Sequence, residues 1–169
     1  MSHFPTGWFF VQSRCSHKMV LDVEWDSLKT AARIVVWPRK DKAYNNQLWS
    51  YDNGHLINKN SGLGAALNDR QVIQQRRKVI DGSDDQKWFY REDGYLYPQS
   101  DPNLVLDIRG NSEKPGAQVL LYNRKYDDNL NQLWDLIPES NTLLSQIELS
   151  NEDDDDDDEY SFSNASYEL

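Results

Sequence analysis

The sequence is poor in cysteine and has no long apolar run, and both shortages limit what the protein can be. Cys15 is the only cysteine, so no disulfide can form within the chain and a reducing compartment is expected. No apolar stretch approaches the roughly 20 residues that a membrane-spanning helix needs. The opening residues MSHFPTGWFF lack the charged start and apolar stretch of a signal peptide. We therefore expect a cytoplasmic protein with no membrane span.

Residue patterns that support catalysis or metal binding are missing as well. The histidines His3, His17 and His55 lie far apart without the spacing of a zinc site, and no glycine-rich phosphate loop occurs. No nucleophile stands beside a base in a recognisable motif. The sequence therefore predicts a non-catalytic protein that uses neither a metal nor a cofactor.

The negative charge is concentrated at one end of the chain. The formal net charge is −10, yet residues 139–169 hold 11 acidic and no basic residues, which leaves 17 acidic against 18 basic residues in 1–138. A neutral body followed by six consecutive aspartates does not attract phosphate, so nucleic acid is not an expected partner. The acidic segment has few large aliphatic residues, which predicts a disordered C-terminal tail over 139–169.

The main feature that is present is a threefold internal repeat. A glutamine stands two residues before a tryptophan three times, in NNQLW (45–49), DDQKW (84–88) and LNQLW (130–134). Upstream of these pairs, two further blocks align in the same way: MVLDV, AALND and LVLDI, and then IVVWPRK, VIQQRRK and VLLYNRK. Repeats one and three match closely, while repeat two lacks a loop of about eight residues. Such a repeat indicates one supersecondary unit used three times.

Each repeat contains four short segments rich in Val, Ile, Leu and aromatic residues and bounded by turn residues, which is typical of β-strands. The repeats cover about 7–54, 55–94 and 95–138, and no stretch of them sustains a helical apolar period. Three blades fall short of the roughly four or more that propellers use. The pattern therefore predicts an all-β domain over 1–138, a closed barrel of twelve strands with pseudo-threefold symmetry and a hairpin cap. Trp49, Trp88 and Trp134 are expected to meet in its core.

The threefold glutamine-x-tryptophan pattern resembles the β-trefoil of ricin B-chain type lectins over roughly residues 7–138. The resemblance implies weak, shallow sugar sites, in which a carboxylate accepts hydrogen bonds from hydroxyl groups and an aromatic ring stacks on the sugar. A glycan or sugar is thus the expected ligand, with an affinity near millimolar per site, or about 4 kcal/mol. By position, the resemblance implies one site in repeat one, formed by Asp22, Trp37, Asn46 and Gln47, and one in repeat three, formed by Asp107, Tyr122, Asn131 and Gln132.

Repeat two departs from the family pattern at the decisive positions, because Asn68 replaces the carboxylate, Gln75 the aromatic residue and Asp85 the asparagine. We expect no sugar site there. Val35 and Leu120 stand where the family often has a polar side chain that helps to hold the ligand. Each replacement removes one hydrogen bond, worth about 0.5–1.5 kcal/mol.

The site residues also have structural interpretations. The glutamine of each repeat can instead satisfy buried backbone groups. The aspartate can instead hold the long loop that follows it. The aromatic position is more informative, since Gln75 in repeat two indicates that folding does not require an aromatic residue there.

The charged segments offer a different function. A basic pair closes the third segment of every repeat, and threefold symmetry places the pairs in a belt around the barrel, either as solvated loop starts or as a surface that the acidic tail covers at low salt. The tail is also a possible binding segment for a protein partner. The alternative function is therefore an intracellular protein-interaction scaffold that uses the trefoil loops and the tail without binding sugar. The basic pairs are Arg39 and Lys40, Arg77 and Lys78, and Arg124 and Lys125.

Overall fold

A computed structural model describes residues 3–78, 84–140 and 147–149 of the chain. Among these residues no helix is long and apolar enough to cross a membrane. The twelve predicted strands are confirmed: β1 Phe9–Ser13, β2 Val20–Val23, β3 Ile34–Trp37, β4 Trp49–Asp52, β5 His55–Asn58, β6 Gly64–Asn68, β7 Gln71–Gln75, β8 Trp88–Tyr90, β9 Leu96–Pro98, β10 Leu104–Ile108, β11 Val119–Asn123 and β12 Trp134–Pro138.

Four short 3-10 turns interrupt the strands at equivalent places in repeats one and three. Two of them follow β2 and β10, at Glu24–Asp26 and Arg109–Asn111. The other two lie just before the core tryptophans, at Asn45–Gln47 and Leu130–Gln132. All four turns are followed by a residue in an extended conformation, so the chain returns to β-structure after each turn.

Tight hairpins join the last strand of one repeat to the first strand of the next. The β4–β5 hairpin turns at Asn53 and Gly54, which have φ of 48° and 93°, and the β8–β9 hairpin turns at Gly94, with φ of 106°. Such turns need positive φ, which Gly adopts without steric cost. A Cβ on Gly94 would lie 2.7 Å from Cζ of Arg14, so the guanidinium group of Arg14 would have to shift to admit a side chain there.

Six antiparallel hairpin-like pairs make up the threefold architecture. β12–β1, β4–β5 and β8–β9 form the barrel, and β2–β3, β6–β7 and β10–β11 form the cap. The cap hairpins meet around the symmetry axis through single pairings of Arg33 with Ile73, Val35 with Gln118 and Gln71 with Leu120. Each repeat therefore contacts both of the others, and loops of one repeat lie beside strands of the next.

The three repeated tryptophans lie in the core, as predicted. Trp49, Trp88 and Trp134 are at most 1% exposed and belong to one hydrophobic cluster. Each indole N–H donates to a strand carbonyl, that of Leu21 (3.2 Å), Ala65 (2.9 Å) and Leu106 (3.1 Å), respectively. Because a buried polar group without a partner is costly, these bonds let a large aromatic side chain fill the core at no polar penalty.

The chain divides into two compact units, Met1–Glu139 and Ser140–Leu169. The first unit holds all twelve strands. Of the second, residues 147–149 are helical, with Ile147 and Leu149 exposed. The predicted disorder and partner binding of the acidic tail concern residues that mostly lie outside the described part of the chain, and both stay predictions.

Candidate functional site

The candidate residues of repeat one converge on a single cavity, called site one below. Asp22 lies on β2 opposite Val35 of β3, Trp37 ends β3, and Asn46 lies in the turn before β4. These side chains line a cavity of about 450 Å³ at the rim of the cap. Trp37 leaves 41% of its surface exposed, whereas Asp22 and Asn46 are buried at the cavity floor. The site thus combines an exposed aromatic face with two buried polar groups.

Gln47 lies behind site one and holds its floor in place. Its side chain is fully buried. Nε2 donates to Oδ2 of Asp22 (3.0 Å) and to the carbonyl of Pro38 (3.0 Å), and Oε1 accepts from the backbone N–H of Lys40 (3.0 Å). The whole amide is therefore used inside the protein. Gln47 orients the carboxylate and fixes the chain that leaves β3.

The environment of Asp22 is unfavourable to its negative charge. Burial raises the pKa of this carboxyl group from 3.8 to about 6, although the hydrogen bond from Gln47 and the charge of Lys40 act in the opposite direction. A partly desolvated carboxylate is a strong acceptor once a ligand supplies hydroxyl donors, because charge-assisted hydrogen bonds are stronger at low dielectric.

Asn46 also lines the cavity and holds an unused acceptor atom. Its Nδ2 donates to the carbonyl of Val23 (3.1 Å), which fixes the orientation of the amide. Its Oδ1 is buried and accepts no hydrogen bond from the described residues. A buried acceptor without a partner costs about 1–3 kcal/mol. A ligand hydroxyl at this position would remove that cost.

Repeat three builds an equivalent cavity of about 400 Å³, called site three below, from Asp107, Tyr122 and Asn131. Gln132 repeats the role of Gln47, since its Nε2 donates to Oδ2 of Asp107 (2.9 Å) and to the Asn123 carbonyl (2.9 Å). Its Oε1 accepts from a backbone N–H (2.8 Å). Burial raises the pKa of Asp107, as it does in site one.

Repeat two keeps the glutamine arrangement without the carboxylate. Nε2 of Gln86 donates to the Arg76 carbonyl (2.9 Å), and Oε1 accepts from the Lys78 backbone N–H (2.8 Å). Asn68, at the aspartate position, is exposed beside a tight turn. The glutamine bonds to the backbone thus persist where no acidic partner exists, so holding the chain is the role that all three repeats share.

No group of three or more His, Cys, Asp or Glu side chains within 3–78, 84–140 and 147–149 is placed to hold a metal ion.

Comparison with known proteins gives the two sites a context. The model of the ricin-type beta-trefoil lectin domain family matches residues 7–146. The chain belongs to this family. Its β-trefoil fold, predicted from the repeat, is therefore confirmed.

Individual relatives of this lectin domain agree with the family match. Mucoricin from Rhizopus delemar is 36% identical over 100 residues, which cover 56% of this chain and 67% of mucoricin. Of two other curated relatives the chain spans only 13% and 5% of their lengths. The solution structure of the mdaA-1 domain superposes with a TM-score of 0.70 at 29% identity, over 79% of this chain and 91% of that one. The C-half of the earthworm R-type lectin, in complex with GalNAc, shares the fold with a TM-score of 0.69 at 22% identity, over 79% and 98% of the two chains.

Several residues that line site one of the lectin domain are not among those predicted. Trp25 and Asp26 come from the turn after β2, and Lys40 follows β3. Trp25 is 87% exposed and has φ of 62°, a left-handed conformation that costs a bulky residue on the order of 1–3 kcal/mol. The equivalent residue in site three is Gly110, with φ of 63°. Aligning EWD with RGN would have revealed a tryptophan at a glycine position.

A further wall of site one comes from another repeat. Pro115 and Gly116, in the long loop between β10 and β11, line the cavity. The N–H of Gly116 donates to the Val36 carbonyl (2.8 Å), and a Cβ on Gly116 would lie 3.7 Å from Cζ3 of Trp37. By symmetry the loop of repeat two belongs beside site three, where the Leu121 N–H donates to the Arg70 carbonyl (2.8 Å). That loop is the shortened one, and none of the described residues of repeat two lines site three.

The two sites also differ in how they use the lysine of the basic pair. In site three, Nζ of Lys125 donates to Oδ1 of Asn131 (3.0 Å). In site one, Nζ of Lys40 donates instead to Oδ1 of Asp26 (3.1 Å), which leaves Oδ1 of Asn46 without a partner among the described residues. The polar floor of site three is therefore occupied by a side chain of the protein itself, and that of site one is not.

The basic pairs predicted to form a belt make contacts with other side chains of the trefoil. The contacts include ion pairs and stacking on aromatic rings: Arg77 with Asp52 (2.6 Å), Lys78 with Asp85 (3.6 Å), Arg39 over Phe10 (4.1 Å) and Arg124 over Tyr126 (4.9 Å). These contacts, with those of Lys40 and Lys125, engage one or both members of every pair. Contact of the belt with the acidic tail stays a prediction.

Proposed function

We propose that this lectin domain is a non-catalytic carbohydrate-binding module whose principal site is site one. The observation that carries the proposal is the arrangement of three groups in one cavity. The Asp22 carboxylate is fixed by Gln47, the Trp37 side chain is 41% exposed, and Oδ1 of Asn46 is buried without a partner among the described residues. Membership of the ricin-type lectin family and a fold-level relative that binds GalNAc support the same function.

The three groups match the two kinds of surface on a sugar ring. Hydroxyl groups on one edge would donate to the Asp22 carboxylate and to Oδ1 of Asn46. The C–H groups of one ring face would stack on Trp37, as apolar groups do on aromatic faces. The charge-assisted bonds to Asp22 are about twice as strong as neutral ones, which makes them the main source of orientation.

Site three is proposed as a second, weaker site. Tyr122 is half exposed and Asp107 is held in the same way as Asp22. A ligand hydroxyl there must compete with Lys125 for Asn131, and the wall that Pro115 and Gly116 give site one is absent. A loss of one hydrogen bond corresponds to about 0.5–1.5 kcal/mol, or roughly a two- to tenfold weaker affinity.

Weak single sites become useful when two of them engage one glycan. Val35 and Leu120 line sites one and three with apolar side chains, so neither cavity gains a polar contact from that position. Affinities near millimolar, about 4 kcal/mol, are expected for one site. Linked binding at both sites can raise the overall affinity by about 10²-fold or more when the geometry allows simultaneous contact.

A glycan array tests the proposal. The full chain is compared with Trp37→Ala and with the double variant Trp37→Ala, Tyr122→Ala, each checked for folding by thermal melting. The proposal predicts binding of the full chain that Trp37→Ala weakens strongly and the double variant abolishes. Unchanged binding in the double variant would reject both sites, and absence of binding to every glycan would favour the scaffold function.

Cytoplasmic localisation and a protein partner for the tail are separate parts of the proposal. Cys15 is a free, buried cysteine, which fits a reducing compartment. Fractionation of cells that express the tagged full chain tests the compartment, and recovery from the secreted fraction would contradict it. Partner binding by residues 139–169 concerns a segment largely outside the described residues and rests on its acidic sequence alone.

A further inference from the structure

Trp25 has no counterpart in site three, and its position calls for a functional explanation. It lies in the same cavity as Trp37, yet 87% of its surface is exposed, so it contributes little to the core. Its φ of 62° belongs to a region that glycine, found at the equivalent position 110, adopts without strain. A large exposed aromatic residue in a strained conformation is poorly suited to a purely structural role.

The turn that carries Trp25 is fixed by charged contacts on both sides. Before it, Glu24 forms a bidentate ion pair with Arg33 (2.8 and 2.6 Å). After it, Asp26 accepts from Lys40 (3.1 Å) through its carboxylate and from Asn60 Nδ2 (3.2 Å) through its carbonyl. These contacts fix the backbone of the turn that carries Trp25 before any ligand arrives, which lowers the entropic cost of a contact with its side chain.

Site one therefore presents two aromatic residues above one polar floor. Asp22 and Asn46 are buried, and Trp37 beside them is partly covered by the loop of Gly116. A single sugar ring that contacts the floor and Trp37 leaves the far more exposed Trp25 available. A second ring, joined to the first through the glycosidic oxygen and stacked by its apolar face, is the ligand feature that an additional indole recognises.

We propose that Trp25 forms a second subsite of site one, which binds the ring attached to the sugar held by Asp22, Asn46 and Trp37. The inference rests on the proposed sugar binding of site one and adds its ligand class. The ligand is a glycoside whose second ring presents an apolar face, such as the C–H face of the next unit of an oligosaccharide, rather than a single sugar. Site three, with Gly110 at this position, binds only the first ring.

The test separates the second ring from the first. Methyl and 4-nitrophenyl glycosides of galactose, N-acetylgalactosamine, glucose and mannose are titrated into the full chain, and the indole N–H signals of Trp25 and Trp37 are followed by NMR. The wild-type protein is expected to bind the 4-nitrophenyl glycoside of its preferred sugar about tenfold more tightly than the methyl glycoside, which corresponds to roughly 1.4 kcal/mol. Both indole signals should shift with the aryl glycoside.

Trp25→Gly reproduces the residue of site three and is the central variant. It should lower the aryl-to-methyl preference to about one while the methyl glycoside affinity stays within about twofold, because only the stacking contact is removed. Trp25→Phe should restore most of the preference. The reciprocal Gly110→Trp, placed where an added Cβ meets no atom within 4 Å, should create a preference in site three.

Four outcomes overturn the inference. An unchanged preference in Trp25→Gly would mean that the second ring does not contact Trp25. An equal loss of affinity for both glycosides would place Trp25 in the first subsite instead. The proposed sugar binding of site one would then still hold. If the wild-type protein binds no methyl or aryl glycoside, or if Trp37→Ala binds the methyl glycoside as wild type does, the proposed function of site one fails and the inference fails with it.

Discussion

Nζ of Lys125 lies 3.0 Å from Oδ1 of Asn131 and donates a hydrogen bond to it. The equivalent lysine of repeat one, Lys40, donates instead to Oδ1 of Asp26. Oδ1 of Asn46 therefore has no partner within the described residues. The third residue after the strand also differs, with aspartate at position 26 after β2 and asparagine at position 111 after β10. The asparagine acceptor is therefore paired with a lysine of the protein in site three and is left unpaired by the described residues in site one.

Removing the ammonium group of Lys125 should strengthen sugar binding at site three. In Lys125→Met, Oδ1 of Asn131 becomes available, and the affinity of site three should rise about two- to tenfold, the value of one hydrogen bond. NMR titration of signals around Tyr122 measures this. Lys40→Met is the matched control, since it removes the same charge beside the same type of carboxylate without freeing an amide. An equal gain in both variants would contradict the competition.

Sugar binding at site one should weaken at acidic pH. Burial raises the pKa of Asp22 from 3.8 to about 6, so the carboxylate that accepts the ligand hydroxyls is lost as the pH falls through 6. The affinity should then drop by up to about tenfold for each pH unit below that value. Titration of a methyl glycoside between pH 7.5 and 4.5 checks the profile. A flat profile would contradict the role of the Asp22 charge.

The same shift predicts that Asp22 destabilises the folded protein at neutral pH. Since the folded pKa lies above the unfolded value, the protonated form is favoured by folding, and this stabilisation is present below about pH 4 and lost as the pH rises through 6. Asp22→Asn should therefore keep or raise the melting temperature at pH 7 while it abolishes binding at site one. A marked loss of stability in Asp22→Asn would indicate that the charge holds the loop instead.

The glutamines before the core tryptophans should contribute to stability in all repeats and to binding in two. Gln86→Leu leaves the Arg76 carbonyl and the Lys78 N–H without their partner and should cost about 1–3 kcal/mol, with no effect on sugar binding. Gln47→Leu should cost a similar amount and also weaken site one, because Asp22 loses its orienting donor. Urea unfolding combined with glycoside titration measures both. A binding loss in Gln86→Leu would contradict this division.

Replacing Trp25 should stabilise the fold even though it removes an aromatic residue. Trp25→Gly relieves a left-handed tryptophan that buries little surface, and the free energy of unfolding should rise by about 1 kcal/mol once the greater flexibility of glycine is subtracted. The reverse change, Gly110→Trp, should lower it by a similar amount. Destabilisation by Trp25→Gly would mean that the indole packs on the domain.

The fold could be predicted from the sequence because the glutamine-x-tryptophan motif recurs three times and makes the same structural contacts each time. Each repeated tryptophan fills the core and donates its indole N–H to a cap strand, and each glutamine ties the chain that follows the third strand of its repeat. A single such pair would be weak, but three in register restrict the chain to a threefold barrel. The predicted floor and stacking residues lie together for the same reason, since each set comes from one repeat.

The remainder of site one depends on relationships between repeats and between neighbouring side chains. Pro115 and Gly116 reach the cavity from repeat three, and alignment within a repeat gives no sign of that contact. The partner chosen by Lys40 depends on whether Asp26 is close enough to attract it, which is a question of distance. Alignment of the repeats could have shown that Trp25 stands at a glycine position. Only its left-handed φ and its exposure in the structure mark it as unusual.

If site one is the principal sugar site, a paired titration of single variants in the three repeats will show it. The Kd of the best-bound methyl glycoside is measured for wild type, Trp37→Ala, Tyr122→Ala and, as a control in repeat two, Gln75→Ala. We predict that Trp37→Ala weakens binding by about tenfold or more, that Tyr122→Ala changes it by less than about threefold, and that Gln75→Ala has no effect. Equal losses in the two aromatic variants, or a larger loss in Tyr122→Ala, would show that site one is not the principal site.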